Sequence, residues 1–225
     1  SSDWSSDVCS SDLGLSKAFG KQTLFSDISM DIKRGEHVAI IGDNGTGKTT
    51  ILKIINNLVE ADNGKITLGA NVSIGYYDQE HHVLHMDKTL FEEISDAYPY
   101  LNNTEIQNTL AAFLFTGEDV YKRVKDLSGG ERGRLSLAKL MLSESNFLIL
   151  DEPTAVLTPQ ETDELFFYFM KLKDKGHTII FISHKLDEIK KICDRATIMR
   201  NGRSMGTYEV KDITTQEMSR LMVGR

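Results

Sequence analysis

The stretch that decides the fold is Gly42-Asp43-Asn44-Gly45-Thr46-Gly47-Lys48-Thr49, in a chain of 225 residues. It fits the pattern G-x-x-x-x-G-K-S/T, in which backbone N–H groups surround the phosphates of a nucleotide. The apolar run 37–41 precedes it as a buried strand, and residues 50–55 follow it with helical spacing. Strand, glycine-rich loop and helix in this order place an anion at a helix N-terminus, where the partial positive charge favours it. We therefore predict a nucleotide site here rather than an ordinary glycine turn.

The residue types in this loop have the chemistry that a nucleotide and its metal ion require. The glycines allow the backbone to approach the phosphates closely, and Lys48 is placed to reach the β- and γ-phosphates. The Thr49 hydroxyl is expected to complete the shell of a Mg²⁺ ion. The predicted nucleotide-binding residues are Gly42, Asp43, Asn44, Gly45, Thr46, Gly47, Lys48, Thr49 and Thr50.

The composition limits the other classes of function. With 26 Lys and Arg against 33 Asp and Glu, the formal net charge is −7, so direct DNA binding is not expected and the anion site must be local. Two cysteines, Cys9 and Cys193, are too few for a disulfide framework. No apolar run approaches the roughly 20 residues that span a bilayer. We expect a cytoplasmic chain that can dock at the inner face of a membrane.

The first thirteen residues differ in composition from the rest. They repeat the unit Ser-Ser-Asp at residues 1–3, 5–7 and 10–12. A repeat this short and polar has little to bury, which predicts disorder. The repeat also resembles the translation of a sequencing-library adapter, so residues 1–13 are interpreted as a non-native tail, with a native flexible N-terminus as the alternative. A single folded domain is predicted for residues 14–225.

Beyond the tail, predicted strands alternate with predicted helices. Strands are expected near residues 15–19, 24–32, 37–41, 65–68, 72–77, 147–150 and 178–182, with two more around Asn201-Gly202. Helices are expected at 48–58, 130–143 and 159–173, after 182 and from 214, with more polar helical stretches at 89–97 and 104–115. This alternation favours an α/β fold with a mostly parallel sheet, an antiparallel β edge and a small helical subdomain at about residues 85–143. Site residues should then lie at the carboxyl ends of the strands.

An acidic pair follows the predicted strand at 147–150. Asp151 and Glu152 are therefore expected at the same edge of the sheet as the nucleotide loop. In phosphoryl-transfer enzymes with such a loop, the first acid holds Mg²⁺ and the next can orient the attacking water. An acidic pair after an apolar run is a weak signal alone, but the nucleotide loop earlier in the chain strengthens it.

A third motif points to a family. Leu127-Ser128-Gly129-Gly130-Glu131 precedes a predicted helix, with Ser128 as its N-cap and glycine N–H groups that could bind an anion. Between a nucleotide loop and an acidic strand end, this string resembles the signature motif of the ATP-binding cassette (ABC) ATPases. The resemblance covers residues 14–225. It implies a P-loop NTPase fold that hydrolyses ATP to ADP and phosphate with Mg²⁺.

The resemblance also implies roles for single residues. Phe19 stands where these ATPases place an aromatic ring that stacks on adenine, although a core phenylalanine would give the same pattern. Gln79 is similar to the glutamine that senses Mg²⁺ and the γ-phosphate, and His184 to the switch histidine that touches the γ-phosphate. The implied metal ligands are Thr49, Gln79 and Asp151, and the implied catalytic residues are Lys48, Glu152 and His184.

In ABC ATPases the signature motif acts on ATP held by a second cassette. The residues implied in that role are Ser128, Gly129, Gly130 and Glu131. Only one nucleotide loop occurs in this sequence, so hydrolysis is expected to require a head-to-tail pair of cassettes. The second cassette could be another copy of this chain or a different ABC domain.

The two ends of the chain resemble different branches of the family. Residues 14–154 resemble the translation-associated ABC-F branch, through Gly75-Tyr76-Tyr77-Asp78-Gln79 and the residues around the signature motif. Residues 155–225 resemble the ATPase of simple-sugar importers (ribose, galactose and xylose types), through residues 155–161, 183–189 and 222–225. A chimera with its seam near residues 151–154 is one interpretation, and a divergent single lineage is the other.

Three interpretations of the chain remain open, the third of which is a nonfunctional fragment. The favoured one is an ATPase subunit that powers a membrane importer of sugars together with permease subunits. The alternative is an ABC-F-like cytosolic factor, gated by ATP and acting on the ribosome. That branch usually joins two cassettes through a charged helical linker, which this sequence does not contain.

The remaining features are interpreted as structural. The charge alternation of residues 185–191 predicts an exposed helix face. Three histidines lack partners at zinc spacing and are assigned to a solvated loop, namely His81, His82 and His85. Four apolar residues of one predicted helix are expected to face the core, namely Phe166, Phe167, Phe169 and Leu172.

Overall fold

The computed structural model describes residues 8–78, 84–155 and 157–224. The strands in these ranges are β1 (Val8–Phe19), β2 (Gln22–Lys33), β3 (His37–Gly42), β4 (Asn63–Leu68), β5 (Ile74–Asp78), β6 (Phe147–Asp151), β7 (Thr178–Ile182), β8 (Arg195–Arg200) and β9 (Arg203–Glu209). The α-helices are α1 (Lys48–Ile55), α2 (Leu90–Ala97), α3 (Asn103–Ala112), α4 (Gly129–Met141), α5 (Pro159–Asp174), α6 (Leu186–Ile192) and α7 (Thr215–Val223). No helix of the described ranges is long and apolar enough to cross a membrane.

The strands form two sheets that lie against each other. The larger sheet has the order β5-β6-β7-β3-β8-β9, and its strands are parallel except for β9, which runs antiparallel to β8. The smaller sheet has three antiparallel strands in the order β2-β1-β4. The predicted α/β fold with a mostly parallel sheet and an antiparallel β part is confirmed.

The side chains of β3 point alternately to the two faces of the parallel sheet, so the core has one layer on each face. Val38 and Ile40 pack on one face of the parallel sheet, against α1 and the antiparallel sheet. Ala39 and Ile41 pack on the other face, in a cluster that includes Leu90 and residues of the other helices. A parallel strand buried on both faces reads as a continuous apolar run, which is why the sequence predicted β3 correctly.

Strand β1 begins at Val8, so the predicted disorder of residues 8–13 is wrong. The side chains of Ser10 and Asp12 are fully buried, and the Ser10 hydroxyl donates a hydrogen bond to Asp12 at 2.9 Å. Because β1 is the central strand of its sheet, Ser11 pairs with Asp31 on one side and Thr67 on the other. Backbone pairing on both sides offsets the low hydrophobicity of this segment. The non-native origin of residues 1–13 stays a prediction.

Two predictions on helix faces also need correction. Phe167 is 65% exposed, whereas the other three residues predicted with it face the core. In α6, Glu188 and Ile189 are buried, so residues 185–191 are not a purely exposed face.

Helix α1 ends three residues earlier than predicted, because Asn57 takes a left-handed conformation with φ of 57° after the cap at Asn56.

Candidate active site

The parallel register brings several chain segments to one edge of the larger sheet. Asp151 at the end of β6 is level with Asp78 of β5 and with Ile182 of β7. Ile182 is in turn level with Ile40, two residues before the glycine-rich loop begins. The loop, the residues after Asp151 and the residues after Ile182 therefore lie side by side.

Glycines in the loop meet two different requirements. At Gly47, φ is +91° and an added Cβ would lie 2.5 Å from Cδ1 of Phe25, so a side chain would collide with β2. At Gly45, φ is +80° but an added Cβ would have nothing within 4 Å. Both positions need the left-handed region that favours glycine. The open space at Gly45 leaves the backbone accessible to a ligand.

Lys48 folds back over the loop from the first turn of α1. Its ammonium group donates hydrogen bonds to the carbonyl oxygens of Gly42 at 2.7 Å and Asp43 at 2.9 Å. Burial lowers the pKa of Lys48, and the nearby carboxylates of Glu152, Asp151 and Asp43 oppose that shift. Lys48 and Glu152 line the same cleft, and Asp151 directly precedes Glu152.

These elements enclose a cleft of about 270 Å³. It is lined by Leu24, Asn44, Gly45, Gly47, Lys48, Thr49, Thr50, Glu152 and Ile182. The helix N-terminus, the open backbone and one lysine fit a polyphosphate. The hydroxyl of Thr49 and the buried carboxylate of Asp151 are oxygen donors, which fit a cation that keeps water and phosphate ligands. Among the described residues, no group of three or more His, Cys, Asp or Glu side chains could hold a metal by itself.

Glu152 and His184 meet at the edge of this cleft. Nδ1 of His184 lies 3.4 Å from Oε1 of Glu152, and the His184 ring is exposed. Glu152 has a φ of 46°, a left-handed conformation that costs on the order of 1 kcal/mol for a residue other than glycine. Its N–H donates to the carbonyl oxygen of Ile182 at 3.1 Å, which holds the strained residue against β7.

The predicted signature residues lie outside the cleft. Ser128 caps α4 in a capping box, since its Oγ accepts from the Glu131 N–H at 3.2 Å and its N–H donates to Glu131 at 2.7 Å. The same N–H holds the pKa of Glu131 below its usual range. Ser128 and Gly129 are exposed, and an added Cβ on Gly129 would meet nothing within 4 Å. None of residues 128–131 lines the cleft.

Two other predicted site residues stand apart. Phe19 is 58% exposed, with Nζ of Lys17 located 5.4 Å from its ring centroid, so it is not a core residue. It does not line the cleft. Gln79 lies outside the described residues, as do His81 and His82, and it directly follows Asp78, the last residue of β5.

Sequence reasoning missed several residues around the site. Leu24 and Ile182 line the cleft as apolar side chains, which no motif distinguishes from ordinary core residues. Thr154, Ser183 and Glu188 form a buried network directly behind the strand ends. The Thr154–Glu188 contact joins segments that are far apart in sequence, so no local pattern could have indicated the network.

Fold and site together define an α/β nucleotide-binding protein with a phosphate-binding loop. A family model of ABC transporters matches residues 25–155, and the chain belongs to this family of ATP-binding ATPases. The predicted resemblance to ABC ATPases is thereby confirmed.

Individual relatives agree with this assignment. The ribose import ATP-binding protein RbsA of Clostridium tetani is 34% identical over 234 residues, covering 94% of this chain and 46% of that protein. The protein YdiF of Bacillus subtilis is 45% identical over 172 residues, covering 76% of this chain and 26% of that protein. The chain thus spans less than half the length of these relatives. A solved ATP-binding subunit of an ABC transporter superposes with a TM-score of 0.82 and 26% identity, covering 96% and 98% of the two chains.

Proposed function

We propose that this chain binds ATP as one of two head-to-tail cassettes and that hydrolysis in the pair powers a membrane importer for a sugar of the ribose type. The observation that carries the proposal is the separation of two half-sites. The cleft contains Lys48, Thr49 and Glu152, whereas residues 128–131 lie outside it, and two of them, Ser128 and Gly129, are exposed. A composite site requires this arrangement, because each cassette then offers its signature residues to the nucleotide of the other.

Binding in this proposal depends on the loop and on α1. Backbone N–H groups of residues 44–49 and the N-terminus of α1 face the phosphates, and Lys48 exchanges its loop carbonyls for phosphate oxygens. The exposed ring of Phe19 stacks on the adenine base. Thr49, Asp151 and Gln79 would hold Mg²⁺, which neutralises charge on the β- and γ-phosphate oxygens.

Hydrolysis in this proposal depends on the two residues that meet beyond the strand ends. Glu152 orients the attacking water and accepts its proton, and His184 contacts the γ-phosphate from the neighbouring strand. The Ser128 hydroxyl and the Gly129 and Gly130 N–H groups of the second cassette complete the set of donors around the γ-phosphate. Most of the rate then comes from electrostatic stabilisation by groups that are already in position.

The importer role draws on the relatives and on the C-terminal third of the chain. RbsA is named for ribose import and matches nearly the whole of this chain. Residues 155–225 also resemble simple-sugar importer ATPases, as the sequence indicated. Permease subunits in the membrane are the partners this role requires, and the cassette pair would work at the cytoplasmic face.

Replacement of the proposed base tests the catalytic assignment. Glu152→Gln should keep ATP affinity within about threefold, because the phosphates are held by the loop, while turnover falls by about 100-fold or more. Phosphate release and equilibrium ATP binding measure the two quantities. Glu60→Gln changes an exposed glutamate away from the cleft and should leave both unchanged. Turnover at the wild-type rate in Glu152→Gln would contradict the assignment of Glu152 as the base.

The resemblance of residues 14–154 to ABC-F proteins keeps the ribosome as a second candidate partner. The Glu152→Gln variant should bind ATP without hydrolysing it and so stay in the ATP-bound state, which makes it a sensitive probe for ribosome binding. We expect it not to co-sediment with bacterial ribosomes, as the Lys48→Ala control should not. ATP-dependent co-sedimentation of Glu152→Gln alone would overturn the importer role, although it would leave the paired ATP site intact.

A further inference from the structure

A buried carboxylate lies behind the strand ends that carry Glu152 and His184. Glu188, in α6, is 8% exposed. Its Oε2 accepts a hydrogen bond from the Thr154 hydroxyl at 2.8 Å and another from the Ser183 hydroxyl at 3.0 Å. Thr154 follows Glu152 by two residues, and Ser183 directly precedes His184. One carboxylate oxygen therefore joins the two segments that present the proposed catalytic pair.

Lys185 closes this network from the other side. Its ammonium group lies 3.2 Å from Oε1 of Glu188 and donates to the carbonyl oxygen of Thr154 at 3.1 Å. Its backbone N–H donates to the Ser183 hydroxyl at 3.0 Å. Each of the four residues in the network contacts at least two of the others, so a change at one position is transmitted to the others.

We propose that Glu188 is a positioning residue for hydrolysis, which fixes the segment after β6 relative to the segment after β7. The proposal rests on the function proposed above. Glu188 does not line the nucleotide cleft, so it acts through Thr154 and Ser183 rather than by contact with ATP. A buried carboxylate that loses a hydrogen-bond donor keeps its desolvation cost without compensation. Separation of the two segments is therefore energetically costly, and Glu188 holds them in a fixed relative position.

The expected consequence is a loss of rate without a matching loss of affinity. The loop and α1 hold the phosphates and contain none of the network residues. The relative placement of Glu152 and His184 decides how well water and γ-phosphate meet, and a misplacement of about 1 Å can cost about 100-fold in rate. Glu188 should therefore influence kcat far more than KM.

Substitutions at Glu188 and at a matched position test this expectation. Glu188→Ala should lower kcat for ATP by about 10- to 100-fold and change KM by less than about threefold. Glu188→Gln should keep kcat within about fivefold, because its amide oxygen can still accept both hydroxyl groups. Glu36→Ala is the matched control, since Glu36 accepts from the Arg195 guanidinium at 2.8 Å and precedes β3 at the opposite edge of the sheet. It should change kcat by less than about twofold.

Hydrogen exchange supplies a readout that does not depend on turnover. In Glu188→Ala, the amides of Glu152, Thr154 and Ala155 and those of residues 183–186 should exchange at least about tenfold faster, while Glu36→Ala leaves both segments unchanged. Normal kcat in Glu188→Ala, or equal losses in Glu188→Ala and Glu36→Ala, would overturn the positioning role. If the wild-type chain hydrolyses no ATP, the proposed function is wrong. Hydrogen exchange then tests the role of Glu188 by itself, because unchanged protection of either segment in Glu188→Ala would contradict a link between the two segments through Glu188.

Discussion

Asp12 and His37 are two buried ionisable side chains outside the nucleotide cleft, and burial shifts the pKa of each in the direction that favours its neutral form. Burial raises the pKa of Asp12 to about 6, since the Ser10 hydroxyl compensates only in part. One of its carboxylate oxygens, Oδ2, has no hydrogen-bond partner within the part of the chain that the structure describes. Burial lowers the pKa of His37 to about 4, although its ring Nδ1–H donates a hydrogen bond to the Ile192 carbonyl oxygen. Both groups make stability depend on pH.

The sign of the Asp12 effect leads to a prediction. Because the folded-state pKa lies above the unfolded value, the carboxylate destabilises the fold above pH 6 and is neutral in both states below about pH 3.8. Asp12→Asn should therefore raise the free energy of unfolding at pH 7.5 by about 1–3 kcal/mol, and change it little at pH 4. Urea unfolding at the two pH values measures this difference.

An exposed aspartate on the neighbouring strand provides the control for that measurement. Asp31 lies opposite Ser11 in the same sheet, and Asp31→Asn should change stability by less than about 0.5 kcal/mol at either pH. If Asp12→Asn were less stable than the wild type at pH 7.5, the ionised Asp12 carboxylate would have to stabilise the folded state. That result would contradict the burial of its charge.

Single residues were predictable where their neighbours in sequence define them. Asp151, Glu152 and His184 follow apolar runs, so their position at the strand ends could be deduced before the fold was known. Glu188 could not, because the charge pattern of residues 185–191 is that of an exposed helix and its partners come from two other segments. Asp12 was missed for the same reason, since two neighbouring strands decide its burial.

At the level of elements, local chemistry predicted the starts of helices well. Five helices of the described ranges begin with a capping box, in which a Thr, Asn or Ser exchanges hydrogen bonds with a Glu three residues later; the caps are Thr89, Asn102, Ser128, Thr158 and Thr214. This pattern is readable in the sequence. Helix ends and helix faces were less certain, as Asn57 and Phe167 show, because they depend on turns and on neighbouring layers.

The glycine-rich loop gives a prediction with a matched control elsewhere in the chain. Gly45 and Gly117 have φ of +80° and +57°, and an added Cβ at either would meet nothing within 4 Å. Alanine should therefore cost each position a similar amount of stability, about 1 kcal/mol from backbone strain. Only Gly45→Ala should weaken ATP binding, by about tenfold or more, because only its open face lines the cleft.

Isothermal titration with ATP and thermal unfolding of both variants would separate the two effects. Equal ATP affinity in Gly45→Ala and Gly117→Ala would mean that the backbone at Gly45 does not approach the nucleotide. A much larger loss of stability in Gly45→Ala than in Gly117→Ala would instead mean that the substitution weakens ATP binding by disturbing the fold. Either result would remove the support that the loop geometry gives to the phosphate site.

For the molecule as a whole, the sequence predicted the class of fold but not its arrangement. Alternating strands and helices indicated a parallel sheet, yet the order β5-β6-β7-β3-β8-β9 depends on long-range pairing that no single segment encodes. That order is what places β7 between β6 and the glycine-rich loop. It explains why Glu152 and His184 meet beside Lys48, while Ser128 lies on a helix that does not reach the same cleft.

If a second cassette completes the ATP site, two variants that are each inactive should restore activity when they are mixed. Lys48→Ala removes the proposed phosphate-binding lysine, and Ser128→Arg would block the proposed signature residues, so each variant alone should be inactive. In a head-to-tail pair formed from one copy of each, one of the two sites has both parts intact. An equal mixture should therefore recover about a quarter of wild-type turnover. A mixture as inactive as its components, beside an active wild type, would contradict a site shared between two copies of this chain.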